Sequence, residues 1–344
     1  MTTRRAPLIA PILALLLAFA ACGARAQYSQ PTPTLYGLLD VSAGSLQEPG
    51  QRHVLGLSSG AMSLSYLGIR GGDDLGGGLS ARFGLETYVR VDDGTAGRLA
   101  GDPFWGRTAY VGFKGTFGTS LIGRLPTPLY TTTRLFNPFD ESFAFSPAMR
   151  QWFGGTILGD SRWDSSVGYA SPEPEGSGWN WLIHYNASDQ LPTSSGHNIG
   201  AALFYRSGPF LAAGSYQRVR NGVPVAPAGF DHQTAYQLNA SYQLPWLRIY
   251  GQVGESKTSA ATSVRDQLYQ LGGASPIGLG FLLVSYGHAR TETSGQEDRV
   301  RRTFSIGYDY FLSKNTDVYA LAMNERVTAL SSANSLAAGL RLRF

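Results

Sequence analysis

Hydrophobic and polar positions alternate with a period of two along most of this chain. In "SLAAGLRLRF", the last ten residues, Leu336, Ala338, Leu340, Leu342 and Phe344 share one parity. Ser335, Ala337, Gly339, Arg341 and Arg343 share the other. Successive side chains of a strand point to opposite faces, so the segment presents one oily and one charged face. "TFSIGYDYFL" sets Phe304, Ile306, Tyr308 and Tyr310 against Ser305, Gly307 and Asp309. "LSARFGLE" sets Leu79, Ala81, Phe83 and Leu85 against Ser80, Arg82, Gly84 and Glu86.

From residue 34 such segments, each of about ten residues, are separated by breaks that are short and long in turn. The short ones hold turn residues: "GGDDLGG" at 71–77, "GTFGT" at 115–119, "GP" at 208–209, "LP" at 244–245, "SPIG" at 275–278 and "SKNT" at 313–316. Long, polar or irregular breaks fall around 45–60, 93–104, 125–160, 189–196, 221–231, 257–264, 292–300 and 328–334. This punctuation predicts about sixteen strands with tight turns at one end and long loops at the other. The expected fold is all-β: a transmembrane 16-stranded antiparallel β-barrel with its apolar parity toward lipid and its polar parity toward water. Within hydrocarbon every backbone donor must be paired, so the last strand has to close on the first, "TLYGLLDVSAG" from Thr34 to Gly44. Trp105, Trp179, Trp181 and Trp246, near segment ends, fit interfacial girdles.

Composition sharpens this reading. Charged residues make up 15%, against about 25% in a soluble domain, while aromatics reach 12% and glycines number 43. Beyond residue 27 no run of about 18 apolar residues exists, so a helical span is not predicted. Residues 1–26 read as a cleaved signal peptide: basic "MTTRR", apolar "PLIAPILALLLAFAA" and the "ARA" cleavage signal, which leaves 27–344 as the barrel domain. Cys22, the only cysteine, lies in that leader; a lipoprotein site in "FAAC" is the alternative, and either way no disulfide is expected. Loss of Arg4, Arg5 and Arg25 lowers the formal charge by three, from +4 to +1, so nothing points to nucleic acid. Apart from Lys114, Lys257 and Lys314, every basic residue that holds a fixed charge is arginine, which presents a rigid fork of donors.

The segments "TLYGLLD" at 34–40, "LGIRGGDDLGGGL" at 67–79, "RTAYVGFKGTFGT" at 107–119 and "IGRLPTPLY" at 122–130, with the terminal Phe344, occur in an order that resembles the general-diffusion porins of Gram-negative outer membranes, in their β-proteobacterial form. The resemblance covers essentially all of residues 27–344. It implies an outer-membrane location, a homotrimer, passage for small hydrophilic solutes and ions, and contact with outer-membrane lipid and lipopolysaccharide. It also implies that Phe344 is an assembly signal read by the barrel-assembly machinery. The third long loop of the family folds into the lumen, and the stretch from Leu125 to about Asp160 fits it. With Phe136, Phe139, Phe143, Phe145, Trp152 and Phe153 it is too apolar for a solvated tail. An external lid is the alternative.

In that family carboxylates on the inward loop face a basic wall, and Asp140 and Glu141 are the candidates for the acidic side. Arg107 and Arg162 match family arginines, Arg70 and Arg82 share the lumen parity, and Arg124 stands where wall passes into loop. Two departures matter: Tyr66 in "SYLG" replaces an arginine, and "QWFGG" lacks a carboxylate found in enterobacterial porins. Cations opposed to carboxylates across a narrow aqueous passage set up a transverse field, and arginine rings favour anions. The expectation is a weakly anion-selective pore.

His53, His184, His197, His232 and His288 show no metal-ligand spacing, and neither a zinc-protease motif nor a G-x-S-x-G elbow occurs. "GGDDLGGG" lacks the Lys-Ser/Thr of a phosphate loop. No catalytic role, cofactor or metal is therefore expected. A channel specific for an organic or phosphate anion, a barrel enzyme and a barrel without a pore remain the rival readings.

Overall fold

The computed structural model describes residues 33–99, 101–186, 196–223 and 225–344. The expected leader, 1–26, and most of the break expected at 189–196 lie outside these. Among the described residues, seventeen strand segments form one sheet. They are β1 (Thr34–Leu46), β2 (Val54–Ser59), β3 (Tyr66–Gly76), β4 (Leu79–Tyr88), β5 (Thr108–Gly115), β6 (Gly118–Pro126), β7 (Arg162–Ala170), β8 (Gly178–Asn186) and β9 (Asn198–Ser207). There follow β10 (Phe210–Val219), β11 (His232–Gln243), β12 (Arg248–Ser259), β13 (Val264–Ile277), β14 (Gly280–Thr293), β15 (Arg299–Phe311), β16 (Thr316–Val327) and β17 (Ala333–Arg343).

Closure is direct. β17 lies antiparallel to β1, from Leu38 opposite Arg343 to Ser45 opposite Leu336. Phe344 completes the seam, its N–H donating to Gly37 O at 3.2 Å and its carbonyl accepting from Gly37 N at 3.0 Å. A Cβ on residue 37 would lie 2.7 Å from the Phe344 ring, so glycine is what lets the ring lie over the first strand.

The second stave is broken. β2 pairs with the upper half of β1 (Val41–Leu46) and β3 with its lower half (Thr34–Leu38), so the two count as one stave and the ring has sixteen. Between them residues 60–65 turn into the lumen. The Asp40 carboxylate accepts the N–H groups of Met62 (3.2 Å) and Ser63 (2.7 Å) there, which satisfies backbone donors that have left the ladder. The break expected at 45–60 is therefore a loop, a half-strand and an inward turn in succession. "GGDDLGG" also proves shorter as a turn, because β3 continues to Gly76. Gly76, Gly77 and Gly78 all have φ between +61° and +82°, a run that only glycine accepts at low cost.

Burial is inverted relative to a soluble sheet. Leu35, Val111, Ile122, Leu238, Leu271 and Leu336 are exposed on the outside, while Gln217, Gln233, Gln237, Gln252 and Gln270 are buried inside. Lipid is the solvent such an outer face requires. At the short-turn end aromatic rings gather in pairs: Trp179 with Tyr205 (4.6 Å between centroids), Tyr169 with Trp181 (4.9 Å) and Phe281 with Phe311 (5.9 Å). Trp105 stands apart from this girdle, edge-on to Phe104 in the β4–β5 loop.

Candidate constriction site

The connection between β6 and β7 runs inside the barrel. Its first turn, α1 (Pro128–Leu135), starts with Pro at its first position, and the Thr127 hydroxyl caps it by accepting from Tyr130 N. Asn137 then stops the helix: its amide donates to the carbonyls of Thr133 and Arg134, and its oxygen accepts from Phe139 N. Asp140 occupies the left-handed region (φ 46°) at the sharpest point of the loop. A second short helix, α2 (Pro147–Gln151), is capped by Ser146, and a wide turn over Trp152–Thr156 returns the chain toward β7.

Two features of the wall hold this loop. Inward glutamines replace the ladder that its backbone lacks: Gln270 accepts from Ala148 N (2.8 Å), Gln233 accepts from Leu158 N (2.8 Å), and Gln252 donates to Thr133 O (3.0 Å). Inward glycines leave sockets for bulky loop residues. A Cβ on residue 200 would lie 2.9 Å from Pro128, on residue 254 2.8 Å from Trp152, on residue 272 2.7 Å from Pro138, and on residue 287 2.5 Å from Pro147. Glu325, fully buried on β16, anchors Arg150 of α2 at 3.0 Å and Arg301 of β15 at 2.7 Å. The loop also meets the other inward turn, with Ser142 Oγ donating to Ala61 O at 2.6 Å.

On the opposite side the loop presents Glu141 to the wall of β4 and β5. Arg107 donates to Glu141 at 3.1 Å and is also bonded to Glu86, and its guanidinium lies 3.8 Å over the Tyr66 ring. Tyr130 donates to Glu141 at 2.7 Å. Arg162, 4% exposed, reaches the Tyr130 hydroxyl at 3.4 Å and faces the rings of Tyr130 and Tyr88 at 4.6 and 5.4 Å. Arg107, Arg162 and Glu141 thus come together. Arg124 stands elsewhere: a bulge between Gly123 and Leu125 turns it to the rim, where it binds Asp164 (2.7 Å), Asp160 (3.3 Å) and Gly106 O (2.7 Å). Asp140 pairs with Arg134 of the loop itself at 3.0 Å. Arg70 and Arg82 lie nearer the short-turn end, bordering a shared recess with Asp74, Ser80 and Tyr110. There Arg70 meets the Tyr36 ring at 4.5 Å, and Arg82 meets the Ser80 hydroxyl at 3.3 Å.

Glu86, Arg98, Arg134 and Asp160 belong to the same charged cluster and were not singled out from the sequence. Glu86 shares the parity of Arg82 and was legible as inward; Arg98 and Asp160 (2.9 Å) sit on separate loops with no periodic signal.

The two loop carboxylates titrate apart. Burial opposes ionisation of Glu141, but Arg107 and Arg162 outweigh it and hold its carboxyl below the ordinary range. Asp140 opens to the lumen, but the protein around it leaves its carboxyl less hydrated than in bulk water, which raises it above its ordinary range against the pull of Arg134. Falling pH therefore neutralises Asp140 sooner than an ordinary aspartate and Glu141 later than an ordinary glutamate. Acidification is expected to increase the anion preference of any current through the lumen as Asp140 loses its charge; reversal potentials recorded between pH 7 and pH 4 check it.

A family profile described as Gram-negative porin matches residues 13–329. The chain belongs to the Gram-negative porins. The porin is 29% identical over 318 residues to outer membrane porin protein 32 of Delftia acidovorans, across 89% of this chain and 87% of that relative. It is also 29% identical over 286 residues to major outer membrane protein P.IB of Neisseria gonorrhoeae, across 75% and 76% of the two chains. Among solved structures, an anion-selective porin from Comamonas acidovorans shares the fold with a TM-score of 0.78 at 24% identity, over 92% of this chain and 100% of that one. A trimer form of OmpT from Vibrio cholerae does so with a TM-score of 0.69 at 15% identity, over 92% and 100%. The porin is an outer-membrane barrel protein.

Proposed function

We propose that this porin is a passive, weakly anion-selective channel for small hydrophilic solutes and ions, narrowed by its β6–β7 loop. The supporting observation is the balance of charge in the lumen. Around Glu141 two cations are matched, Arg107 by Glu86 and Glu141 and Arg98 by Asp160, while Arg162 bonds to the hydroxyls of Ser161 and Tyr130. Arg70 and Arg82 meet a ring and a hydroxyl instead of carboxylates, and both are exposed to the lumen. Their unneutralised charge is what biases permeation, and because the narrow cluster itself is nearly neutral the bias is weak. Arg107, Arg162, Asp140 and Glu141 give the passage its transverse field, and Arg124 supports the rim.

A reversal potential measured on the purified porin across a KCl gradient tests this. A potential of anionic sign is expected, and a clear cation preference ends the proposal. Saturation of the conductance by one organic or phosphate anion would instead favour a substrate-specific channel.

Two further parts of the proposal concern assembly. The porin forms a homotrimer; OmpT of Vibrio cholerae, which shares its fold, has a trimer form. The exposed Leu55 and Leu57 on β2, beside Leu336 and Leu340 on β17, offer the apolar surface. Phe344 is the signal read by the barrel-assembly machinery. Its ring is half-exposed at the short-turn rim, and the hydrogen bonds that close the seam there are made by its backbone, which alanine keeps. Phe344→Ala is therefore expected to lower the folded yield in cells several-fold while leaving refolding in detergent intact, as judged by heat-modifiable gel mobility.

A further inference from the structure

We infer that the lumen recess between the constriction and the short-turn end, formed by Tyr110, Arg70 and Arg82, is a binding subsite for planar aromatic carboxylates. This rests on the channel reading above and names a class of solute for it. The recess begins with two glycines on the inward parity. A Cβ on residue 84 would lie 2.7 Å from Cε1 and Cζ of Tyr110 and 2.8 Å from its hydroxyl oxygen. A Cβ on residue 68 would lie 2.7 Å from Cζ of Tyr36, with Cε1 and the hydroxyl oxygen each at 3.0 Å. Near-equal distances to the atoms on both sides of Cζ put each glycine beneath a ring face and not at a ring edge. Both tyrosines are therefore laid flat along the wall, and neither arrangement survives a side chain at residue 68 or 84.

The register brings the cations to the same place. Arg70 of β3 pairs with Gly84 of β4, and Gly84 pairs with Tyr110 of β5, so Arg70 and the Tyr110 ring approach from opposite sides over Gly84. Arg82 stands two residues along β4 from Gly84, on the same inward face. Tyr110, Arg70, Arg82 and Ser80 line one recess of about 400 Å³, into which both arginines are exposed. Arg82 is oriented by Ser80 Oγ at 3.3 Å, and Arg70 stands 4.5 Å from the centre of the Tyr36 ring. The inward carboxylates nearby are engaged: Asp74 accepts from Gly76 N at 2.9 Å, and Glu86 accepts from Tyr36 at 2.6 Å and is bonded to Arg107.

This combination selects a chemistry. A bare aromatic face attracts a second ring, whereas a guanidinium fork grips a carboxylate through two parallel hydrogen bonds and also stacks on planar groups. An anion the size of benzoate uses both at once, with its ring on Tyr110 and its carboxylate on the arginines. Chloride would use the forks and ignore the ring. A neutral sugar would use the ring and leave both forks unanswered.

The test is block of the KCl current through the purified porin in a bilayer by benzoate, cyclohexanecarboxylate or benzamide. Benzoate is expected to reduce the current saturably, at a half-effective concentration about two- to tenfold below that of cyclohexanecarboxylate, which carries the same charge on a saturated, non-planar ring. Benzamide, planar but uncharged, should block weakly. Tyr110→Leu should lose the preference for benzoate over cyclohexanecarboxylate, and Tyr110→Phe should keep it. Equal block of the unmodified porin by the two carboxylates overturns the subsite, and this comparison needs no variant. Block by benzamide as strong as that by benzoate, or an undiminished preference in Tyr110→Leu, overturns it too. The reversal potential without blocker keeps the two readings apart. An anionic sign with no benzoate preference refutes the subsite and leaves the channel standing, whereas a clear cation preference ends the channel reading itself.

Discussion

Gly287→Leu is expected to dislodge the inward loop and raise single-channel conductance, with larger fluctuations, while the barrel itself stays folded. The reason is geometric. Pro147 Cβ already sits 2.5 Å from where a Cβ on residue 287 would lie, so even alanine forces a movement and leucine claims the socket outright. Overpacking a tight interior costs about 1–3 kcal/mol. The loop has nowhere to shift locally, because α2 is held on one side by Gln270 through Ala148 N and on the other by Glu325 through Arg150. Relief comes by lifting α2 off the wall, which exposes Met149 and Trp152, both now fully buried. The barrel ladder needs none of these contacts, so heat-modifiable migration should persist. Conductance equal to that of the unmodified protein would show that the loop does not set the width of the passage.

The second large effect concerns selectivity. Arg70→Gln/Arg82→Gln is expected to reduce the anion-to-cation permeability ratio several-fold and bring it close to one. A unit charge about 8 Å from a passing ion, at an effective dielectric constant between about 20 and 80, contributes about 0.5–2 kcal/mol. Removing two such charges is a several-fold change even at the lower bound. Replacing Arg107 should act differently. Its charge is already met by Glu86 and Glu141, so its loss leaves these two carboxylates with tyrosine hydrogen bonds but no bonded cation and disturbs the loop as well as the ions. The reversal potential of the double variant under a KCl gradient, with conductance recorded alongside, separates the two effects.

The barrel was legible because parity is a local property. Leu336 to Phe344 on one side and Arg341 with Arg343 on the other already specify which face is which, and closure on Thr34–Leu46 follows from the demand for paired backbone groups. The broken second stave was not legible. "GAMSLS" reads as any polar break, and only Asp40, some twenty residues earlier, shows why it turns inward. The site divides in the same way. Arg70 and Arg82 could be placed from alternation alone, and the structure has them on the inward face. Arg124 shares the parity of the outward Ile122, and where the register shifts against Trp163–Ser166 of β7 it reaches Asp160, Asp164 and Gly106 O at the rim. The replacement at Tyr66 reads as a lost cation, whereas in three dimensions the ring lies under Arg107 and supports one that remains. The sockets at Gly200, Gly254, Gly272 and Gly287 carry no pattern of their own, since each acquires meaning only from a loop residue distant in sequence.

The most direct test of the account is a single cysteine at position 140, in the inward loop, in protein prepared without residues 1–26 and therefore without Cys22. Asp140 faces the water of the lumen beside Arg134. Modification of Asp140→Cys by a small charged thiol reagent during bilayer recording should lower the current in discrete steps, one for each subunit. An unchanged current, with the adduct confirmed by mass, would mean that ions do not pass this loop, and the channel described here would be wrong.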